Sequence, residues 1–570
     1  MMKRYIIIQL LTIVLISPLA AQANQQNLSR EITLYNPYKP SLSIFKKRSF
    51  LPEINDTSRT RPDIKYDITI KPYSPEYSIS PIKAASLVPD PLPKLYKSYL
   101  VMGLGNYITP LAELNISNER SKKGSAGFSV RHFSSNGKVK LDNSKRVFAG
   151  YMDNDASLFG KKFFRYNILE GSLDFSQKVR YAYGYDTAII DYTADKKDIR
   201  LGYINTGASL SLGSLNLDSA KLSYDFDLDY HYFYNARYLD QHNIRFEGAL
   251  SKSWKGFYAG SDMELDFTRL NDSLSGDMKY ITSVSPYIKK NTSQWNFRLG
   301  LQMLLDKNMT DSPEFHIYPD VNFGFSIVPA YIGFFASLKG KLKKNSPACI
   351  IKDNPFIITD GSLFRLPNTD DALIFSTGLL GNNGIGGNYL ISGSYSIINR
   401  MLFYSNFVYP DSVPDPMPGN LFIPMTDDAE VLNIHGEMNG QISDKLSYMV
   451  NADWYRYTLT ENPYAWNKPD WDSRIGLKYN LRDKILAGVN ITALGKRKLA
   501  ASDYKASVFT GNTVFNEPVH VNINLSAEYR YTKILSFWMK LNNISFNRYY
   551  EWAYYPSQRF LCLLGFTYSL

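Results

Sequence analysis

The sequence of 570 residues predicts an all-β fold, a large transmembrane antiparallel β-barrel of about 22 strands. Three observations predict it. Aromatic residues make up 14% of the chain, yet no run of about 20 apolar residues follows residue 23. Long segments alternate between apolar and polar residues. Short polar turns recur between those segments. The lack of a long apolar run excludes helical membrane spans. A disulfide-rich scaffold is also excluded, since Cys349 and Cys562 are the only cysteines.

The first 23 residues are predicted to be a signal peptide. Lys3 and Arg4 form a cationic start, residues 5–19 are apolar, and Ala21-Gln22-Ala23 fits a small-x-small cleavage site. The apolar stretch is too short for a stable transmembrane helix. We therefore expect the mature chain to leave the cytoplasm.

Residues 24–95 form a second, proline-rich segment. Ten of the 28 prolines of the chain lie here. Proline removes a backbone donor and restricts φ, so the segment is predicted to be extended rather than helical or a central strand. Two alternatives follow: the segment is a periplasmic tail, or it is an extended segment that lies in the barrel lumen or on a partner protein.

Residues 96–570 are predicted to form the barrel, because their side chains alternate with the period of a β-strand. The clearest case is residues 519–531. The apolar face of that segment consists of Val519, Val521, Ile523, Leu525, Ala527, Tyr529 and Tyr531. The polar face consists of His520, Asn522, Asn524, Ser526, Glu528 and Arg530. Strands of this length with so polar a second face favour a water-filled lumen over a soluble sandwich.

Ten short polar turns are predicted to separate eleven hairpins. Since each hairpin has two strands, the predicted number of strands is about 22. They lie near Lys122-Lys123-Gly124, Ser176-Gln177-Lys178, Gly213-Ser214, Trp254-Lys255-Gly256, Asn291-Thr292-Ser293, Val328-Pro329-Ala330, Asn383-Gly384, Ser443-Asp444-Lys445, Arg482-Asp483-Lys484 and Thr532-Lys533. Longer loops are predicted at residues 345–371, 410–428, 461–470 and 495–517. Short turns at one end and long loops at the other are typical of an outer-membrane barrel.

Two groups of aromatic and apolar residues are predicted to contact the outer-membrane lipid. The last strand places Phe560, Cys562, Leu564, Phe566, Tyr568 and Leu570 on one face. We expect this strand to be recognised by the barrel insertion machinery. Aromatic residues near turns are candidates for the girdles at the membrane interfaces. These are Trp254, Trp295, Tyr331, Tyr479 and Trp538.

The end of the chain resembles that of TonB-dependent receptors. The similar segments are Leu541-Asn542-Asn543-Ile544, Asn547-Arg548-Tyr549-Tyr550 and Tyr555-Pro556-Ser557-Gln558-Arg559, and Trp466-Asn467-Lys468-Pro469 is similar to a receptor loop stem. The resemblance implies a barrel of twenty-two strands. Members of that family also carry a plug domain of well over a hundred residues and a TonB box. The 72 residues between the predicted signal peptide and Tyr96, residues 24–95, contain no convincing TonB box and are too few for a complete plug.

No catalytic, cofactor or metal motif is found, and the net charge of +11 is not concentrated in any run that predicts nucleic-acid binding. Asp427, Asp428 and Glu430 are predicted to form a solvated acidic loop. The leading hypothesis is a non-enzymatic outer-membrane barrel that acts as a channel or as a scaffold for a periplasmic or lipoprotein partner. The alternative is an uptake receptor that uses residues 24–95 or a separate chain as its plug.

Overall fold

The computed structural model describes residues 96–569, apart from residues 119–120, 186, 188–194, 216–220, 236–238, 271–277, 309–311, 360–365, 385, 408–420 and 503–511. The predicted signal peptide, the proline-rich segment and Leu570 lie outside the described residues. None of the helices in the described part is long and apolar enough to cross a membrane.

Almost all regular structure in the described residues is β-strand. In chain order the strands are β1 (Ser98–Gly105), β2 (Thr109–Ser117), β3 (Gly124–Ser135), β4 (Lys138–Lys140), β5 (Arg146–Phe148), β6 (Tyr151–Phe163), β7 (Asn167–Tyr181), β8 (Arg200–Ser214), β9 (Ser223–Asn235), β10 (Leu239–Trp254), β11 (Phe257–Leu270), β12 (Met278–Asn291), β13 (Trp295–Lys307), β14 (Glu314–Val328), β15 (Ile332–Lys343), β16 (Thr369–Asn382), β17 (Asn388–Phe407), β18 (Leu421–Ser443), β19 (Leu446–Leu459), β20 (Trp471–Leu481), β21 (Ile485–Leu494), β22 (Arg497–Ser502), β23 (Asn512–Glu517), β24 (His520–Arg530), β25 (Leu535–Asn542), β26 (Tyr550–Trp552), β27 (Tyr555–Pro556) and β28 (Leu561–Ser569). A short helix, α1 (Pro347–Asp353), lies between β15 and β16.

The main sheet closes into a ring. Neighbouring strands pair antiparallel in chain order, and the ring is completed by β1 and β28, from Tyr99 opposite Ser569 to Gly105 opposite Leu563. The β22–β23 hairpin joins this sheet through one parallel bridge between Ser405 and Ala500. The other twenty-two strands of the sheet form a closed antiparallel barrel, which confirms the predicted fold class and strand number.

The two faces of the wall differ in chemistry, as the period of two requires. On β13 the outward side chains of Leu299, Leu301 and Met303 are 53%, 54% and 40% exposed. On the alternate positions of the same strand, Arg298 and Gln302 point into the lumen, where they bond to other strands. Strand β24 follows the predicted pattern in the same way. An apolar outer face with a polar inner face is the arrangement of a transmembrane barrel.

All the predicted short turns except one lie between barrel strands at the same end of the barrel, which we call the short-turn end. The turn at residues 383–387 shows why glycine is needed there, since Gly384 and Gly386 have φ values of 77° and 83°. The prediction at residues 176–178 is wrong, because these residues lie inside β7. Ser176 donates to Asp155 across the strand pair at 2.8 Å, so its polarity belongs to the lumen face. The real turn lies at residues 164–166, where two of the three residues are aromatic and the sequence therefore gives no polar turn signal.

The remaining connections lie at the opposite end, the long-loop end, and they carry α1 and the hairpins β4–β5, β22–β23 and β26–β27. Strand β18 has 23 residues. That length corresponds to about 75 Å of extended chain, far more than an apolar band about 25 Å tall requires. The start of β18 corrects the predicted loop at residues 410–428. Asp427 is 5% exposed and accepts from the backbone amides of Glu461 and Asn462, so it is not in a solvated loop.

Candidate functional site

The lumen wall is lined by charged side chains that bridge neighbouring strands. Arg298 donates to Asp262 at 2.7 Å and to Asp320 at 2.5 Å, which connects β11, β13 and β14. Arg131 likewise lies between Glu113 and Asp155, at 3.0 and 3.5 Å. Charge-assisted bonds of this kind hold a polar surface in place without closing the lumen.

The described residues of the loop between β15 and β16, residues 344–368, bond to inner-wall side chains of β11, β12 and β13, which lie two to four positions from β15 around the ring. Lys344 lies 2.5 Å from the Asp266 carboxylate of β11, which is 5% exposed. Lys279 of β12 donates to the backbone oxygen of Leu366 at 2.9 Å. Asn368 donates to Asp306 of β13 at 2.9 Å, so both ends of the loop are fixed to the wall.

The helix α1 in the middle of this loop is held by strands β8 and β10. The Gln241 side chain accepts from the Ala348 amide at 3.1 Å and donates to Ser346 at 3.4 Å. Ser346 is also the N-cap of α1 and accepts from the Cys349 amide. Beyond the helix, the Tyr203 hydroxyl donates to the backbone oxygen of Pro355. The loop thus reaches β10 and β8, which lie five and seven positions from β15 around the ring.

Several long loops meet the β15–β16 loop in an aromatic cluster, which we call the loop core. Phe356 stacks on Tyr555 with ring centroids 4.0 Å apart, and Tyr183 packs on Tyr555 at 5.0 Å. Phe422 contacts Trp552 at 5.6 Å. The wall supplies further apolar side chains to the same cluster: Leu201, Tyr203, Phe233, Leu239 and Leu270. Loops from around the barrel are therefore joined to the wall as one packed body.

Backbone bonds reinforce the contact between two of these loops. The amide of Phe422 donates to Phe356 at 2.8 Å, and the amide of Ile358 donates back to Phe422 at 2.9 Å. The Phe422 and Ile357 side chains are each 2% exposed. This short parallel pairing satisfies backbone groups that burial in the loop core would otherwise leave without partners.

The β22–β23 hairpin adds a buried charged pair to the long-loop end. Arg497 is 8% exposed and donates to Asn467 at 2.9 Å and to the backbone oxygen of Tyr550 at 2.7 Å. Glu517, opposite Arg497, accepts from the Tyr550 amide at 3.1 Å. Burial raises the pKa of the Glu517 carboxyl and lowers the pKa of the Arg497 guanidinium, since each charge is removed from water. The hairpin is thereby tied to both neighbouring loops.

A cavity of about 550 Å³ opens on the lumen side at the short-turn end. Glu113, Glu528, Lys478 and Lys540 contribute charges to its lining, and Trp538 contributes an aromatic face. No group of three or more His, Cys, Asp or Glu residues in the described part of the chain is arranged to hold a metal ion.

The predicted insertion strand corresponds to β28. Leu564 and Phe566 are 56% and 36% exposed on its outer face, and Tyr568 lies on the same face. Phe560 precedes the strand and stacks on Phe546 at 4.9 Å, while Leu570 lies outside the described residues. The geometry of the outer face agrees with the sequence pattern, and recognition by the insertion machinery stays a prediction.

Four of the five predicted interfacial aromatics lie beside turns at the short-turn end. Trp254, Tyr331 and Tyr479 are 63%, 54% and 41% exposed, and Trp295 stacks on Phe297 at 5.6 Å. Their role at the membrane interface stays a prediction.

Trp538 is a correction to that set. It is 8% exposed and packs in the lumen with Val101, Leu111 and Leu563. Its ring lies over two glycines, Gly103 and Gly565, which leave room for it. Because Trp538 pairs with Glu528, which points inward, its position in the strand places it on the lumen face. It is not a lipid-facing residue.

Three solved structures with the same barrel are two transporters and one siderophore receptor. The FrpB iron transporter from Neisseria meningitidis matches with a TM-score of 0.64 at 10% identity, over 84% of this chain and 82% of that one. The copper transporter OprC matches with a TM-score of 0.62 at 10% identity, over 84% of both chains. The siderophore receptor PiuA from Acinetobacter baumannii gives 0.57 at 11%, over 84% and 82%.

The fold is that of the TonB-dependent receptor barrel. No protein-family model and no curated protein sequence matches the chain. At 10–11% identity the likeness to the three structures shows the fold alone. The likeness therefore identifies the receptor-type barrel and indicates neither a substrate nor a partner of this chain.

The loop core is the part of the candidate site that sequence reasoning missed. Residues 549–556 contain Tyr549, Tyr550, Trp552, Tyr554 and Tyr555, an aromatic density without a period of two. The sequence pattern indicates for that run only its resemblance to receptor ends. An aromatic cluster inside a long loop is a signal for a buried core, because a large contiguous apolar patch is rarely left exposed to water.

Proposed function

We propose that this protein is a non-enzymatic outer-membrane channel whose external mouth is closed by its own long loops. The observation that carries the proposal is the β15–β16 loop, which is fixed to the inner wall at β11, β12 and β13 by Lys344, Lys279 and Asn368. Side chains of the same loop also pack in the loop core with the loops that follow β7 and β25. A polar lumen beneath such a closure suits passage of a hydrophilic solute after the loops move.

The orientation follows from barrel physics. Outer-membrane barrels have short periplasmic turns and long external loops, so the loop core faces the exterior. The outer face of β28 and the aromatics Trp254, Trp295, Tyr331 and Tyr479 then contact lipid and its interfaces. This arrangement leaves the cavity with Glu528 and Lys540 at the periplasmic end.

Conductance in planar bilayers tests the proposal. Lys343 and Thr369 are paired neighbours, so a short Gly-Ser linker can replace residues 345–368 without moving either strand. We expect the intact protein to be closed and the linker variant to show stepwise conductance. An intact protein that conducts as an open pore would contradict the proposal, as would an assembled linker variant that stays closed.

A matched control uses the loop between β3 and β6, at the same end of the barrel. Ser135 and Tyr151 are paired neighbours, so residues 137–149 can be replaced in the same way. This loop supplies no residue to the aromatic core around Phe356 and Tyr555. The control variant should remain closed.

Two other functions have specific support. The loop core joins several loops into one body, which favours a scaffold that presents a stable surface to a partner protein. The matched structures are called iron transporter, copper transporter and siderophore receptor, which favours an uptake receptor plugged by residues 24–95 or by a separate chain. A stably co-purifying partner with no conductance in either variant would favour the scaffold. Ligand-dependent uptake that requires an energised membrane would favour the receptor.

A further inference from the structure

A cavity of about 340 Å³ lies between helix α1 and the inner wall formed by β7, β8 and β9. Lys178, Arg180 and Asn205 line it from the wall, and Lys352 lines it from the last turn of α1. Three cationic side chains therefore converge from two separate parts of the chain. The volume is that of a pocket for a small molecule, at the lower end of the usual 300–1,000 Å³.

The three cations differ in their partners. The Arg180 guanidinium makes a two-pronged contact with Asp153, at 2.6 and 3.3 Å. Lys178 and Lys352 have no carboxylate within ion-pair distance among the residues that the structure describes. Lys178 and Lys352 thus bring to this cavity two positive charges that are not engaged in an ion pair, and both would attract an anion bound there.

The floor of the cavity is aromatic. The Tyr203 and Phe233 rings stack with centroids 6.2 Å apart and an interplanar angle of 17°. Both residues line the cavity and are otherwise buried, at 5% and 7% exposure. The Tyr203 hydroxyl donates to the backbone oxygen of Pro355, and at this low exposure only a small apolar part of each ring borders the cavity. An apolar group of a ligand contacts these ring portions.

We propose that this cavity binds a small aromatic anion, with its charged group between Lys178 and Lys352 and its ring on Tyr203 and Phe233. Asn205 supplies a further donor to the charged group. Because Lys178 belongs to the wall and Lys352 to the loop, the anion bridges the two. A ligand that binds only the assembled cavity stabilises the closed arrangement of the β15–β16 loop.

Isothermal titration calorimetry on the purified full-length barrel in detergent tests the site directly, with blank micelles as reference. The probes are benzoate, phenyl phosphate, inorganic phosphate and benzyl alcohol, all at low salt. Benzoate and phenyl phosphate should bind, and comparison of the two distinguishes a carboxylate site from a phosphate site. Inorganic phosphate and benzyl alcohol should bind at least about tenfold more weakly, because each lacks one of the two recognised groups. If either of them binds as tightly as the aromatic anions, the proposal is overturned.

Substitutions then locate the site. Lys178→Gln and Lys352→Gln should each weaken benzoate binding about tenfold, and Lys178→Arg should retain most of the affinity. Lys445→Gln is the matched control, since Lys445 lines the separate cavity at the short-turn end. Unchanged affinity in both glutamine variants, with normal assembly, would overturn the proposal. The titration does not depend on conductance, so its outcome is independent of whether the barrel is a gated channel.

Discussion

The barrel wall and the loop core are both rich in aromatic side chains, but the two regions hold them in opposite ways. On the wall, aromatics such as Trp254 and Phe537 are 63% and 49% exposed on the outer face. In the loop core, Tyr555 and Phe422 are 1% and 2% exposed among other aromatic rings. The wall leaves its apolar surface to lipid, whereas the loop core removes it from water by packing loops together.

This difference separates two sources of order. A wall strand is positioned by its neighbours through backbone bonds, and its outer side chains need only be apolar. A loop-core residue is positioned by contacts with residues more than a hundred positions away, such as Phe356 with Tyr555. Full burial of a large apolar side chain contributes about 1.5–3 kcal/mol. We therefore expect substitutions that remove packing to destabilise the loop core. We expect substitutions that break the alternation of polar and apolar side chains to impair assembly of the wall.

The largest expected effect is in the loop core. Phe356→Ala should cost about 3–5 kcal/mol of local stability, because the ring stacked on Tyr555 leaves a cavity. Amide exchange of residues 346–358 should accelerate by about a hundredfold or more while the barrel strands stay protected. Phe546→Ala is the control, since Phe546 is a loop aromatic that is 58% exposed. Equal acceleration in both variants would show that the loop core is not a packed unit.

The second prediction concerns the wall. Leu525→Asp places a charge on the lipid face of β24, where it should cost less than the ~2–4 kcal/mol of a Lys or Arg near the membrane midplane but still reduce the amount of assembled barrel. Asn524→Asp, one residue earlier on the lumen face, should assemble normally. Heat-modifiable mobility of the membrane fraction measures both. If the two variants assemble to the same extent, the assignment of the faces is incorrect.

The third prediction concerns the contact between the two regions. Lys344→Met should weaken the attachment of the β15–β16 loop by about 1.5–3 kcal/mol, because the charge-assisted bond to Asp266 is lost. Amide exchange in residues 346–358 should rise less than in Phe356→Ala. Asp266→Asn should destabilise the loop less in the Lys344→Met background than in the wild-type protein, since the two residues share one interaction. Strict additivity would indicate that they act independently.

The smallest expected effect is where β1 pairs with β28 and closes the ring, which we call the seam. Gly103→Ala should destabilise the β1–β28 pairing by about 1–3 kcal/mol, because the new Cβ would overlap the Trp538 ring. Gly160→Ala on β6 is the control, since a Cβ there meets no atom within 4 Å. The denaturant midpoint of the purified barrel should fall in the first variant alone. No difference between them would mean that Trp538 does not pack on this seam.

Much of the wall could be predicted from the sequence because its determinants are local. Alternation in residues 519–531 predicts the two faces of β24, and polar pairs such as Arg482-Asp483 mark turns that the structure contains. The errors have the same origin. The pattern at Ser176 and Lys178 wrongly predicts a turn, because a lumen-facing segment is as polar as a turn. Residue type alone predicts Trp538 to lie in the lipid girdle, although its place in the period of two puts it on the lumen face.

The sequence by itself determined the repeated strand, most of the short turns and, through them, the strand number, since each strand and turn depends on a few neighbouring residues. The signal peptide stays a prediction. Only the tertiary structure decided which loops enter the mouth, because Lys344 and Asp266, or Phe356 and Tyr555, become neighbours only after the ring closes. The same is true of the cavity between Lys178 and Lys352. A period of two specifies a face of a strand, but it contains no information about which distant loop will cover that face.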